Sequence, residues 1–145
     1  MNAIEKVQMR AVKCVDGFKD LSYEEQLRKL DLPTLSHRRK RGDMIEVFKH
    51  ANVYDKASIS TSIRFRSRPS RKHDFQVTRL EASDGLRGPQ RNSFYYRTAA
   101  TWNKLPKSVV HSSTVTSFKK HINELWKDER TKFVYDPKPY HHLEE

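Results

Sequence analysis

The stretch RNSFYYRTAATWNKLPKSVV, residues 91–110, decides the fold of the second half of the chain. It holds four aromatic and four basic side chains, and it contains no acid. Such a mixture has two interpretations. It is either a surface that stacks nucleic-acid bases and contacts phosphates, or the edge of a small packed core.

The spacing of its apolar residues favours the core. They recur at i, i+4, i+8 and i+11, on one side of a helix: Phe94, Thr98, Trp102 and Leu105. We predict that this side packs against Phe118 or Trp126, and that Pro106 stops the helix. Tyr95 and Tyr96 flank the buried side, where they remain able to meet a base. The basic residues form an outer, acid-free face: Arg91, Arg97, Lys104 and Lys107.

The N-terminal part of the chain has the pattern of three helices. Apolar residues at helical spacing predict an amphipathic helix over about 3–15, with this apolar stripe: Ile4, Val7, Ala11, Cys14 and Val15. Because Cys14 lies in the stripe, we expect its thiol to be buried. Ser22 and Glu25 have capping-box spacing, so a short helix follows them. Pro33 or Thr34 begins a third helix, about 34–51, whose polar side carries HRRKR, residues 37–41. This basic run is a nuclear-import signal, a phosphate patch or a solvated helix face.

The period of the pattern changes after this helix. In ISTSIRFR, residues 59–66, apolar and polar residues alternate, which is typical of a strand. A second alternating run follows RPSRKH, so we predict a β-hairpin over 57–80. One face would be apolar, and the opposite face would carry Arg64, Arg66 and, past the bend, Arg68. That cationic face either lies along a phosphate backbone or is simply solvated.

Together these patterns predict a mainly α fold. We expect a small helical domain with about five helices and one inserted β-hairpin. The domain covers residues 1–126, helical over 1–52 and 91–126 with the hairpin between them. Residues 127–145 mix both signs of charge evenly, and we expect a flexible tail.

The composition points to a polyanionic partner. The 145 residues include 29 Lys and Arg against 18 Asp and Glu, a net charge of +11. Nucleic acid is the first candidate and an acidic membrane surface the second, although charge also serves solubility. Cys14 is the single cysteine, which excludes an intramolecular disulfide and predicts an intracellular protein, nuclear or cytoplasmic. The N-terminus has no long apolar run, so we expect neither a signal peptide nor a spanning helix there. Of the two candidates we choose nucleic acid, and we predict no membrane partner.

The basic residues are clustered along the sequence. No acid lies between Asp55 and Asp74 or between Asp84 and Glu124, and these two intervals hold 13 of the 29 basic residues. We expect weakly sequence-selective contact with an RNA or DNA backbone. The candidate nucleic-acid-binding residues are Arg38, Arg39, Lys40, Arg41, Arg64, Arg66, Arg68, Arg71, Lys72, Arg91, Arg97, Lys104 and Lys107.

Catalytic chemistry has no visible basis in the sequence. The chain has no GxSxG motif, no Walker loop, no HExxH motif and no glycine-rich dinucleotide turn. His141 and His142 adjoin acids but have poor metal-ligand spacing. We therefore expect no catalytic residue, no metal site and no cofactor.

Three blocks in this order resemble a known family. They are IEKVQMRAVKCV, LSYEEQLRKLDLPTLSHRRKRGDMIEVFKH and RNSFYYRTAATWNKLPKSVVHSSTVTSFKKHINELW. With an Arg/Ser-rich stretch between the last two, they are similar to the C-terminal tail of non-LTR retrotransposon polyproteins, the jockey-like, LINE-type reverse transcriptases of animals. The resemblance covers about residues 3–126.

The resemblance implies an origin in an RNA-directed DNA polymerase, but it does not imply its activity. That polymerase uses an aspartate pair in an F/Y-A-D-D strand of the palm, and this chain lacks that motif. The implied function is a non-catalytic, basic accessory domain that holds RNA or DNA. The implied partners are the polymerase thumb and palm domains, and we expect Ile4 and Val7 to be exposed in this chain and to pack on the thumb. The alternative is a structural or interaction module, or an inert relic, without a nucleic-acid ligand.

Overall fold

The computed structural model describes residues 3–52, 63, 65, 66, 73–78 and 94–135, with the backbone alone at Tyr95. These residues form six α-helices and a short 3-10 helix: α1 Ala3–Lys13, α2 Tyr23–Lys29, α3 Leu35–Asn52, α4 Phe94–Asn103, α5 Lys107–Val110, α6 Val115–Leu125 and 3-10 Arg130–Lys132. The prediction of a mainly helical fold is confirmed. The chain divides into a first unit, Met1–Lys40 with Leu125–Glu145, and a second unit, Arg41–Glu124.

Local hydrogen bonds fix the α2 region of the first unit. The predicted capping box is present: the Ser22 N–H donates to Glu25 Oε2 at 2.8 Å, and the Glu25 N–H donates to Ser22 Oγ at 3.3 Å. Leu27 is fully buried. The neighbouring Gln26 amide donates to Phe18 O at 2.7 Å and to Leu21 O at 3.1 Å, which ties the preceding loop to the helix.

A buried carboxylate organises the start of α3. Glu5 of α1 is 1% exposed. Its Oε1 accepts a hydrogen bond from the Tyr23 hydroxyl at 2.7 Å, and its Oε2 accepts one from the Leu35 N–H at 3.1 Å. The helix N-terminus carries a partial positive charge, which stabilises a carboxylate placed there. Burial and the hydrogen bond to Glu5 raise the pKa of the Tyr23 hydroxyl. Thr34 caps α3, as predicted, by accepting the His37 N–H at 3.2 Å.

The apolar stripe of α1 is exposed at Ile4 and Val7, as expected, whereas the predicted burial of Cys14 is wrong. Ile4 is 56% exposed, Val7 is 64% exposed, and Cys14 is exposed as well. The buried residues of this helix are Glu5 and Val12. The inward side of α1 carries Glu5, whose carboxylate bonds the start of α3, and the apolar side of the helix faces outward.

Residues 127–135 were expected to belong to a flexible tail, but they pack in the first unit. Trp126 is buried. The Thr34 N–H donates to Lys132 O at 2.9 Å, and the Thr34 hydroxyl donates to Thr131 O at 3.2 Å. Residues 136–145 of the predicted tail lie outside the described residues.

The core of the second unit is built from α3, α4, α5 and α6. The Phe48 and Phe118 rings stack at 4.4 Å, and the Trp102 and Phe118 rings lie 6.1 Å apart. Trp102 is fully buried, which confirms the predicted packing of α4 against Phe118. The other core side chains are Met44, Ile45, Val47, Ile63, Val77, Ala99, Leu105, Val109, Val110 and Ile122.

Trp102 and Asn103 at the end of α4 hold the segment 75–77. The Trp102 indole N–H donates to Phe75 O at 2.7 Å. The Val77 N–H donates to Asn103 Oδ1 at 2.8 Å, and the Asn103 amide donates to Val77 O at 2.9 Å. We call these three hydrogen bonds the Trp–Asn clasp. Both backbone groups of Val77 are thus bonded by one side chain.

The predicted β-hairpin over 57–80 is not supported. The described residues of this region contain one isolated antiparallel bridge, Phe65 to Val77, and no strand. The Arg66 N–H donates to Gln76 O at 2.7 Å beside the bridge. At this bridge the Val77 N–H and C=O point away from Phe65, and both are bonded by Asn103 of α4. The rest of the predicted hairpin lies outside the described residues.

Replacing Asn103 by Ala should destabilise the second unit. Two buried backbone groups of Val77 would lose their partner, so we expect the free energy of unfolding to fall by about 1–3 kcal/mol. Urea unfolding followed by circular dichroism measures this. Asn123→Ala is the matched control, since Asn123 is exposed and its loss should cost under about 0.5 kcal/mol. Equal losses in both variants would contradict the clasp.

Candidate nucleic-acid interface

The positive charge is unevenly divided between the two units. The second unit contains 16 Lys and Arg against 7 Asp and Glu, whereas the first contains 13 against 11. The second unit therefore carries +9 of the net +11. A polyanion would be attracted mainly to the second unit.

The basic run of α3 is divided among different environments. Arg38 and Arg39 are exposed, as a phosphate contact requires. His37 is buried, with its ring 5.8 Å from the Trp126 ring. The Lys40 side chain is only 12% exposed. It forms an ion pair with Glu129 and lies 4.6 Å from the centre of the Trp126 ring. Lys40 is therefore committed to structure within the first unit.

Glu129 is the acid that lies beside His37 and Lys40 of this basic run. Burial by itself would raise the pKa of Glu129, but His37 and Lys40 outweigh that effect and hold the pKa at about 2. His37 Nδ1 lies 3.4 Å from Glu129 Oε2. The ionised carboxylate is thus part of the contact between α3 and the chain after α6 in the first unit.

Arg97 of α4 is also committed to structure. Its Nε and Nη2 donate to the two carboxylate oxygens of Asp43 at 2.8 and 2.9 Å. The guanidinium also lies 5.3 Å from the centre of the Phe94 ring. Asp43 is only 11% exposed. The predicted acid-free face of α4 is therefore wrong at Arg97, because the fold supplies an acid from α3.

Other predicted contacts in the second unit are exposed. Arg66, Lys104 and Lys107 all reach solvent. Lys107 Nζ lies 3.7 Å from an Asp74 carboxylate oxygen, a long and exposed pair that contributes little. Arg41 donates from Nε to the Asn123 Oδ1 at 2.6 Å. The remaining predicted residues lie outside the described residues: Arg64, Arg68, Arg71, Lys72 and Arg91.

Two basic residues of α6 were not among the predicted contacts. Lys119 and Lys120 are exposed, and they lie between the fully buried Phe118 and Ile122. The sequence did place them in the second acid-free interval. The missed signal was the helical spacing of α6, which turns its basic residues away from its apolar stripe.

A serine and a histidine of the second unit lie within hydrogen-bond distance of each other. Ser112 Oγ lies 2.9 Å from His121 Nδ1. The Ser112 hydroxyl also donates to Val109 O at 2.7 Å, which ties this side chain to the end of α5. Within the described ranges, no group of His, Cys, Asp and Glu is placed to hold a metal ion.

Comparison with known protein families, with curated proteins and with solved structures gives no match. Among the described residues, no helix has the length and apolar character needed to cross a membrane.

Replacing Glu129 by Gln should lower stability in a pH-dependent way. The folded-state pKa lies below the ordinary 4.5, so ionised Glu129 stabilises the fold above pH 4.5 and this contribution is lost as the pH falls toward 2. We expect a loss on the order of 2 kcal/mol at pH 7 that shrinks between pH 4.5 and 2. Urea unfolding at several pH values measures it.

Glu24→Gln is the control for this series. Glu24 forms an exposed ion pair with Arg28, so its loss should cost under about 1 kcal/mol at pH 7. A Glu129→Gln deficit that stays constant down to pH 2 would contradict the assigned role of Glu129.

Proposed function

We propose that the chain is a non-catalytic, basic accessory domain that binds nucleic acid. We also propose that it derives from the C-terminal region of a non-LTR retrotransposon reverse transcriptase. The sequence blocks quoted above support the origin. The charge distribution supports nucleic-acid binding, and this support is independent of the resemblance.

The observation that carries the proposal is the excess of positive charge in the second unit. This unit has 16 basic residues and only 7 acidic residues, and one of the acids, Asp43, is paired with Arg97. Exposed Lys and Arg attract the phosphate backbone and release its condensed counterions on binding. The proposed ligand is therefore RNA or DNA, contacted along its backbone inside the nucleus or cytoplasm.

The burial of Trp102 supports contact with the nucleic-acid backbone over base stacking by this ring. Trp102 is fully buried and its indole N–H is bonded to Phe75 O, so this ring is part of the core. Phosphate contacts alone position a protein without reading sequence. We expect affinity that is steeply salt-dependent and nearly independent of sequence.

We propose no polymerase activity for this chain. The resemblance assigns catalysis to palm aspartates, and the sequence does not contain their motif. A primer-extension assay on this chain should give no product, and extension would overturn this part of the proposal.

A second candidate function is an interaction module without a nucleic-acid ligand. The exposed apolar side of α1, with Ile4 at 56% and Val7 at 64%, favours it. The resemblance suggests a polymerase thumb or palm as the partner. The two candidates differ in what they bind, so a direct binding assay separates them.

Fluorescence anisotropy with generic single-stranded RNA and duplex DNA tests the proposed function. We expect binding at 50 mM salt and a loss of roughly 10³-fold or more in affinity by 200 mM if six or more phosphates are contacted. The affinity should change little between unrelated sequences. A folded chain that binds neither ligand at 50 mM salt would favour the interaction module.

A further inference from the structure

We propose that Arg41 of α3 and Lys119 and Lys120 of α6 form a phosphate-binding cluster. This inference rests on the proposed nucleic-acid binding and assigns part of it to a surface of the second unit. Lys119 and Lys120 were not among the contacts predicted from sequence. Three cations on two helices offer separate contacts to successive phosphates of one strand.

The position of Arg41 follows from its hydrogen bond to Asn123. Arg41 Nε donates to Asn123 Oδ1 at 2.6 Å, which places the guanidinium on the Asn123 side of α6. Lys119 is four residues before Asn123 and Lys120 is three before it. Residues at these spacings are neighbours on a helix surface, about 5–6 Å apart at Cβ. The three cationic side chains therefore share one surface.

The core fixes the direction of that surface. Phe118 and Ile122 are fully buried, and the side chains at 119–121 and 123–125, including Asn123, are exposed. A rotation of α6 that withdrew Lys119 and Lys120 would expose Phe118. The lysines are thus held outward by the same contact that joins α6 to Phe48.

The charge of the cluster is weakly compensated. Asn123 is neutral, so the hydrogen bond positions Arg41 without cancelling its charge. Asp43, two residues after Arg41, is bonded through both oxygens to Arg97. Glu124 lies four residues after Lys120 and is exposed, so it lowers the local potential without abolishing it. A polyanion can replace the solvent on this surface.

Nucleic acid fits this cluster better than an anionic membrane. Helices that lie in a membrane surface insert an apolar face. The apolar residues of α6 are used in the core, and its exposed residues are polar apart from Leu125. The cluster therefore offers only electrostatic contacts, which suit an extended phosphate backbone.

Neutralising the cluster and measuring the salt dependence of binding tests the inference. The variant combines Arg41→Gln, Lys119→Gln and Lys120→Gln. The matched control combines Lys6→Gln, Arg10→Gln and Lys13→Gln, three exposed cations of α1 in the first unit. Both variants lose the same charge. Anisotropy with a labelled single-stranded RNA, a duplex DNA and phosphatidylserine vesicles gives affinities between 50 and 200 mM salt.

We expect the cluster variant to bind RNA at least about 10-fold more weakly at 50 mM salt. The slope of log affinity against log salt should become shallower by about 2, since three contacts to a single strand contribute about 0.7 each. The control variant should keep the wild-type slope. Lys119→Gln with Lys120→Gln alone, which breaks no hydrogen bond of Arg41, should give an intermediate slope.

The outcomes separate the cluster from the proposed function. Wild-type binding with an unchanged slope in the cluster variant would overturn the cluster and leave nucleic-acid binding intact. Equal loss in the cluster and control variants would also overturn it, because net charge alone would then explain binding. No wild-type binding to RNA or DNA would overturn both. Binding to vesicles but not to nucleic acid would overturn the proposed ligand class.

Discussion

The second unit depends on the Trp–Asn clasp at the end of α4. Trp102 fills the core with its ring and ties Phe75 with its indole N–H, while Asn103 bonds both backbone groups of Val77. These hydrogen bonds satisfy backbone groups on the side of the segment that faces away from Phe65. The clasp therefore attaches the segment 75–77 to α4. As a consequence the Trp102 ring is part of the core, and the side chains offered to a ligand on the surface are mainly charged.

Distance along the sequence proved a poor guide to charge neutralisation. Arg97 lies in a stretch without acids, yet its partner Asp43 is 54 residues away in sequence. Lys40 sits in a basic run and pairs with Glu129, which is 89 residues away. Both ion pairs are largely buried, so both cations stabilise the fold of their own unit. The basic residues left for a ligand are those whose helix side is opposite the core, such as Lys119 and Lys120.

Local signals were predictable from sequence and long-range ones were not. The capping box at Ser22, the cap at Thr34 and the helix stop before Pro106 depend on a few neighbouring residues, and the structure has each of them. The side of α1 that is buried depends on Glu5 meeting Leu35, which periodicity does not encode. The alternation around Phe65 predicted a hairpin, but the described residues there show one bridge to Val77, whose backbone groups are bonded by the distant Asn103. For the candidate basic residues, the position on a helix predicts which side chains are exposed. It does not predict which of them form ion pairs, because the acids come from distant parts of the chain.

The behaviour of the Trp102 indole N–H on binding RNA tests the central claim most directly. The chain has two tryptophans, so a ¹⁵N-labelled sample gives two indole signals, and Trp126→Phe assigns them. The Trp102 indole proton should exchange slowly with water, because it is buried and bonded to Phe75 O. Its chemical shift should stay unchanged when saturating RNA is added. Rapid exchange with solvent, together with a large shift on RNA addition, would mean that the ring stacks on bases and that the clasp does not hold it in the core.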